Sequence, residues 1–200
     1  MQIALTLGVS PKRESIQIQF PECGHVFITG GPATGKSHLL KLMMVDIKRA
    51  YPDALVYVCA VMNPEEYVGL VENGMVDGAF YTPVEVEFGM QALSNSAVIR
   101  KIHNHQKPVF IILDDVDCLF TKLGTVQIRR ALSEILSLGK DTSMYVVAAG
   151  RKIPDLIGPL FETVIEFRHD GNIAAERLGE GQALIHSGGG NPEVFDIYSE

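Results

Sequence analysis

Residues 30 to 37 read Gly30-Gly31-Pro32-Ala33-Thr34-Gly35-Lys36-Ser37, a GxxxxGK[ST] string. Small residues at this spacing let successive backbone N–H groups turn into one concavity, and a helix starting there adds roughly half a positive charge at its N-terminus. The string is therefore an anion trap suited to the phosphates of a nucleoside triphosphate such as ATP. Lys36 would reach the β- and γ-phosphates as a point charge, the Ser37 hydroxyl would ligate Mg²⁺, and the stretch from Gly30 through His38 would cradle the phosphate chain.

The other half of such a site is a carboxylate at the end of an apolar strand, which holds the cation beside the phosphates through water. Val109-Phe110-Ile111-Ile112-Leu113-Asp114-Asp115 supplies it. Asp114 takes the metal side, and Asp115 stands where a base would polarise the attacking water. Many P-loop ATPases use glutamate there. Aspartate is one methylene shorter, and a base must come within about 3 Å of the water, so binding is better supported than hydrolysis. Asp117 also reads as an acidic helix start stabilised by the dipole. The later strand ends Ala148-Ala149-Gly150-Arg151, without the glutamine or asparagine that senses a γ-phosphate in related motors. Arg151 is a candidate sensor or finger, and it also reads as an exposed arginine opening a loop.

Positioning these groups requires a strand, a glycine loop and a helix in succession. His25 to Thr29 is a short apolar strand, and after the loop Leu39, Leu40, Met43, Met44 and Ile47 recur at three-to-four spacing. Ala54 to Val61 and Val109 to Leu113 are near-continuous apolar runs, the pattern of parallel strands covered on both faces. Met144 to Ala149 is another. Phe88, Ala92, Ile99 and Ile102 lie on one face of a helix, and Ile128, Leu132, Ile135 and Leu136 form a second stripe. Gln2 to Leu7 and Ser15 to Phe20 alternate as an N-terminal β-hairpin. Val164 to Phe167, Gln182 to His186 and Glu193 to Tyr198 are C-terminal strands, the last two joined by a glycine-rich hairpin loop, Ser187 to Pro192. Signals between Pro64 and Tyr81 are weak: a short helix, a turn at Asn73-Gly74 and a minor strand. Alternating strands and helices predict an α/β fold, a mostly parallel central sheet flanked by helices.

Composition narrows the partners. The chain has 200 residues, 46% hydrophobic, and a formal charge of −7, which opposes a whole-domain attraction to nucleic acid. Arg130 and Glu134 are spaced as an ordinary surface pair. Cys23, Cys59 and Cys118 fit neither a CxxC pair nor a zinc pattern, and His103 and His105 do not share a helical face, so a reducing cytosol and no structural metal are expected. The longest apolar runs fall below the roughly 18–20 residues of a membrane span, so no direct insertion by this segment is expected.

Together, Gly30 to Ser37, Val109 to Asp117, Ile128 to Leu138, Met144 to Ala149 and the ending Gly179-Glu180-Gly181-Gln182-Ala183-Leu184-Ile185 resemble the FtsK/SpoIIIE ATPase family over most of the chain. Within it, Asp114-Asp115-Val116-Asp117 followed by few insertions resembles the C-terminal ATPase domains of type VII secretion ATPases, EssC and EccC. The resemblance implies a RecA-like P-loop NTPase fold with ATP and Mg²⁺ as cofactors. It implies a single domain, 1–200, cut from a longer membrane-anchored chain carrying sibling ATPase domains, lying on the cytoplasmic side. It also implies a hexamer and small helical WXG100-type secretion substrates as partners. The missing sensor amide and glutamate point to an ATP-binding domain that hydrolyses weakly or conditionally and couples nucleotide state to substrate recognition or assembly. Two alternatives stay open: a degenerate ATPase fold serving as a protein-docking module, and an FtsK-type DNA translocase domain.

Overall fold

The computed structural model describes residues 2–104, 107–121, 126–170, 172–187 and 191–197. Its strands are β1 (Ile3–Val9), β2 (Ser15–Phe20), β3 (Val26–Thr29), β4 (Leu55–Cys59), β5 (Gly78–Phe80), β6 (Val109–Leu113), β7 (Met144–Gly150), β8 (Thr163–Phe167), β9 (Gln182–Ser187) and β10 (Glu193–Ile197). The helices are α1 (Lys36–Ala50), α2 (Glu65–Glu72), α3 (Pro83–His103), α4 (Val116–Thr121), α5 (Val126–Thr142) and α6 (Ile173–Glu176). All ten strands join one sheet in the order β2-β1-β10-β9-β8-β3-β7-β6-β4-β5.

The half from β8 to β5 is parallel. The other half, β2-β1-β10-β9, is antiparallel and meets β8 antiparallel. The weakly signalled stretch resolves as α2, a turn and the three-residue β5, which pairs with β4. β9 and β10 pair as the expected hairpin, whose tip, 188–190, lies outside the described residues.

Side chains alternate across the parallel strands, and each set meets its own helices. Val26, Ile28, Val56, Val58, Phe110, Ile112 and Val147 pack with the Leu39–Ile47 stripe of α1 and with Tyr67 of α2. Phe27, Ile111, Leu113, Val146 and Ala148 pack on the opposite side with α3 and α5. The layering places Asp114, in phase with Phe110 and Ile112, on the α1/α2 side.

Two expectations are corrected. The apolar stripe on α3 faces outward: Phe88 is 75% and Ile102 73% exposed, with Ala92 and Ile99 beside them. The buried face instead carries Val86, Gly89, Met90, Leu93, Ser94, Ala97 and Arg100. Small residues there let α3 lie close to α5, and Ser94 Oγ donates to Glu134 Oε2, so this face wins on packing although the outer one is as apolar. The second correction follows: Glu134 turns to Ser94, and among the described residues no ion pair joins it to Arg130.

His25 pins β3 to the helical layer. Its Nε2–H donates to Leu136 O at 2.9 Å and its Nδ1 accepts from Val146 N at 3.0 Å, which requires the neutral ring. Burial lowers its pKa from 6.5, against the raising effects of the Leu136 carbonyl and Glu162. Below pH 6.5 the unfolded chain takes up a proton that the folded chain refuses, so stability falls as pH decreases through that window. Thermal melts from pH 7.5 to 5.5 are expected to show a declining midpoint, and a His25→Gln variant a flatter slope from a lower starting value.

Candidate functional site

The strand order sets the width of the site. β7 lies between β3 and β6, so the loop after β3 and Asp114 after β6 stand two strand spacings apart, about 10 Å. Leu113 pairs with Ala148 and Thr29 with Gly150, so β7 projects past β6 and carries Arg151 to the cleft that Asp114 also lines. Thr29 Oγ1 donates to Arg151 O at 2.9 Å, tying the two strand ends together.

Gly30 and Gly35 have φ of 157° and 104°. A Cβ on Gly30 would stand 2.6 Å from Phe167 Cβ and 2.9 Å from Thr34 Oγ1, so only glycine lets the loop lie this close to β8. The loop is anchored by Gly31 N donating to Arg168 O at 2.9 Å and Thr34 Oγ1 donating to Gly31 O at 2.9 Å. α1 starts at Lys36, with Gly35 as its N-cap.

One cleft of about 170 Å³ is lined by Pro32, Lys36, Ser37, Asn63, Asp114, Asp115, Asp117, Gly150 and Arg151. Lys36 Nζ donates to Gly30 O at 3.0 Å and Gly31 O at 2.6 Å. Burial lowers the pKa of this ammonium, against the raising effect of Asp114. Asp114 Oδ1 accepts from Asp115 N at 3.0 Å, and Oδ2 accepts from the Tyr67 phenol at 2.7 Å. Burial, reinforced by Asp114, pushes the Tyr67 phenol far up, while the Ser37 hydroxyl acts on it in the opposite direction.

Asp115 has φ 56°, the left-handed region that aspartate tolerates better than most residues. Its carbonyl accepts from Cys118 N at 2.9 Å and its Oδ1 faces the same amide at 3.4 Å, so it caps α4 as well as lining the cleft. Asp117 occupies the first turn of α4, as the helix-start reading expects, yet it also lines the cleft and accepts from Arg151 N at 2.5 Å. Arg151 is exposed at the cleft rim.

A second cleft of about 270 Å³ borders the other flank of the loop, lined by Ala33, Thr34, Phe167, Arg168, Gly179, Glu180, Gly181 and Gln182. His38 lies exposed on the first turn of α1 and lines neither cleft. Asn63 and Tyr67 are site residues that sequence reasoning did not single out, whereas Asp117 reads from the sequence as a helix start. Asp117 carried a signal, its place in the acidic run, whereas Tyr67 carried none.

The donor set suits a hard divalent cation shared with phosphate oxygens. Ser37, Asn63 and the three aspartates offer oxygen ligands, and Lys36 and Arg151 offer positive charge to an anion. Among the described residues no group of three His, Cys, Asp or Glu forms a self-contained metal cage.

No protein-family model matches the sequence, and no curated protein does either. Solved structures do match in fold. The chain is similar to Thermomonospora curvata EccC (ATPases 2 and 3, in complex with a signal sequence peptide) at TM-score 0.83 and 16% identity, covering 99% of this chain and 41% of that one. It is similar to EssC (ATPases 2 and 3) from Geobacillus thermodenitrificans at TM-score 0.75 and 16% identity, covering 98% and 44%. It is also similar to the pCW3 conjugation coupling protein TcpA, in monomer form with ATPγS, at TM-score 0.83 and 16% identity, covering 98% and 66%.

The chain therefore has a P-loop ATPase fold, its mostly parallel sheet extended by antiparallel strands at the N- and C-terminal ends of the sequence. Within that class its fold is that of the EccC and EssC ATPase domains and of the conjugation coupling protein TcpA. It spans less than half the length of the EccC and EssC chains.

Proposed function

We propose that this chain is a nucleotide-binding ATPase domain of a type VII protein-secretion motor, which binds Mg-ATP and hydrolyses it slowly. The observation that carries the reading is the convergence of Lys36, Ser37 and Asp114 on one cleft at the mouth of the phosphate loop. The loop Gly30 to Gly35 binds the phosphate chain through its backbone N–H groups, which every residue but Pro32 supplies, Lys36 leaves its loop carbonyls to meet the β- and γ-phosphates, and Arg151 adds charge at the rim. Ser37 and Asp114 would hold Mg²⁺, which supplies charge neutralisation at the phosphates when bound. Three carboxylates facing two cations would repel metal-free triphosphate, so binding depends on the metal. The second cleft, on the other flank of the same loop, accommodates the nucleoside end.

Asp115 is the candidate base for the attacking water. Its short arm and its engagement at the start of α4 support slow turnover, as does the absence of a glutamine or asparagine at the end of β7. Nucleotide state then serves to set the shape of the domain toward its partners, which also favours the docking-module reading as a second view of the same fold. The partners proposed with this reading are sibling ATPase domains on a longer chain of which residues 1–200 form one domain, a hexameric assembly, and WXG100-type secretion substrates. A cytoplasmic location on a membrane-anchored protein goes with it. The similarity to EccC bound to a signal sequence peptide and to a structure described as the cytoplasmic domain of a secretion ATPase supports this set. Among the described residues no helix is long and apolar enough to cross a membrane. The similarity to TcpA favours the DNA-translocase alternative, which the net charge of −7 opposes.

The test is a thermal-melt titration. Mg-ATP at 100 times its dissociation constant is expected to stabilise the fold by about 2.7 kcal/mol, ATP with EDTA by much less, and steady-state turnover is expected to stay far below that of a free-running translocase. No shift with Mg-ATP overturns the reading; DNA binding with a steep salt dependence promotes the translocase alternative.

A further inference from the structure

We infer that Tyr67 is a positioning residue for the cation end of the site, holding Asp114 in the orientation from which its carboxylate meets a Mg²⁺-bound water. The inference rests on the nucleotide reading above. Tyr67 is fully buried, at 0% exposure, on the first turn of α2. Its phenol donates to Asp114 Oδ2 at 2.7 Å, the usual length for a hydroxyl donor, strengthened by the charge of the acceptor. The remaining oxygen, Oδ1, accepts from Asp115 N at 3.0 Å. Two donors from two different elements therefore fix both oxygens of one carboxylate, which leaves its remaining lone pairs directed by the fold rather than by solvent.

The Ser37 hydroxyl also acts on this phenol, lowering its pKa against the effect of burial, so the buried hydroxyl interacts with both residues assigned to the cation. α2 is also tied to the phosphate-loop helix: Lys41 Nζ pairs with Glu66 Oε2 at 2.8 Å. Lys41 is one helical turn beyond Ser37, and Glu66 precedes Tyr67. The brace, the loop helix and the strand-end carboxylate are thus linked by side-chain contacts through α2. A merely structural tyrosine needs none of this, because an apolar ring fills the same volume.

The experiment uses the full chain and a fluorescent ATP analogue, titrated once with Mg²⁺ and once with EDTA. In the native protein Mg²⁺ strengthens binding. In Tyr67→Phe, which keeps the ring in the core, binding in EDTA is expected to match the native protein while the gain from Mg²⁺ falls by about tenfold, the effect of losing one hydrogen bond to a charged group. Asp114→Asn is expected to lose the same gain, and the double variant to lose no more than Asp114→Asn alone, since the tyrosine acts through that carboxylate. An undiminished Mg²⁺ gain in Tyr67→Phe, or strictly additive losses in the double variant, overturns the role of Tyr67 and leaves the nucleotide reading standing. A native chain that binds the analogue in neither condition overturns both.

Discussion

Lys36→Ala is expected to abolish the stabilisation that Mg-ATP confers, the largest functional effect of any single substitution in the chain. The ammonium is held against the loop by the Gly30 and Gly31 carbonyls. Removing it leaves Arg151 as the sole cation, among the described residues, lining a cleft that also presents Asp114, Asp115 and Asp117. A polyanion entering that cleft then meets three carboxylates with one positive group at the rim. Affinity is expected to fall by about 100-fold or more, equivalent to the roughly 2.7 kcal/mol that saturating nucleotide supplies to the native fold. For a chain of this length that corresponds to a lost melting shift of about 5–10 °C. The ligand-free melting temperature should move less than that, because Lys36 itself is only half-buried. Differential scanning calorimetry of both proteins with and without Mg-ATP reads the result, and an undiminished shift in Lys36→Ala would mean that nucleotide binds elsewhere.

The largest effect on stability is expected at Phe110, the second residue of β6. Its ring meets Phe20 edge-on at 5.0 Å between centroids and Tyr145 at 5.3 Å, joining the N-terminal hairpin to the parallel core. It is fully buried. Truncation to alanine removes the transfer free energy of the ring and leaves a cavity that the rigid strands around it cannot close, a loss of about 3–5 kcal/mol. The melting temperature should drop by roughly 6–20 °C. Phe88→Ala, on the outward face of α3, should stay within about 0.5 kcal/mol. Urea unfolding of the two variants side by side measures the contrast, and comparable losses in both would contradict the assignment of the α3 faces.

Much of this contrast was legible beforehand, but unevenly. The runs Val109–Leu113 and Met144–Ala149 are apolar at every position, a pattern that only strands covered on both sides can satisfy, and they appear as β6 and β7. The α5 stripe also reads directly, since Ile128, Leu132, Ile135 and Leu136 are all buried. α3 misleads because both of its faces carry apolar residues. The choice between them was made by close approach to α5 across Ser94 and Ala97 and to the Phe80 ring at Gly89, a property of the neighbouring elements that periodicity within α3 does not contain.

The candidate site divides along the same line. A contiguous string of glycines, lysine and serine at the start of a helix encodes its own geometry, because backbone conformation and helix dipole are local. Asp114 and Asp115 were likewise legible as the polar end of an apolar strand. By itself, then, the sequence determined an α/β sheet, a glycine loop running into a helix and a carboxylate at the end of an apolar strand. Tertiary structure alone decided that β7 separates the loop from that carboxylate by two strand widths, that Asp117 turns toward Arg151, and that Tyr67, 47 positions before Asp114 in the chain, supplies its second donor. These are contacts between distant segments, and no local spacing records them, since they exist only once the sheet order has brought the segments together.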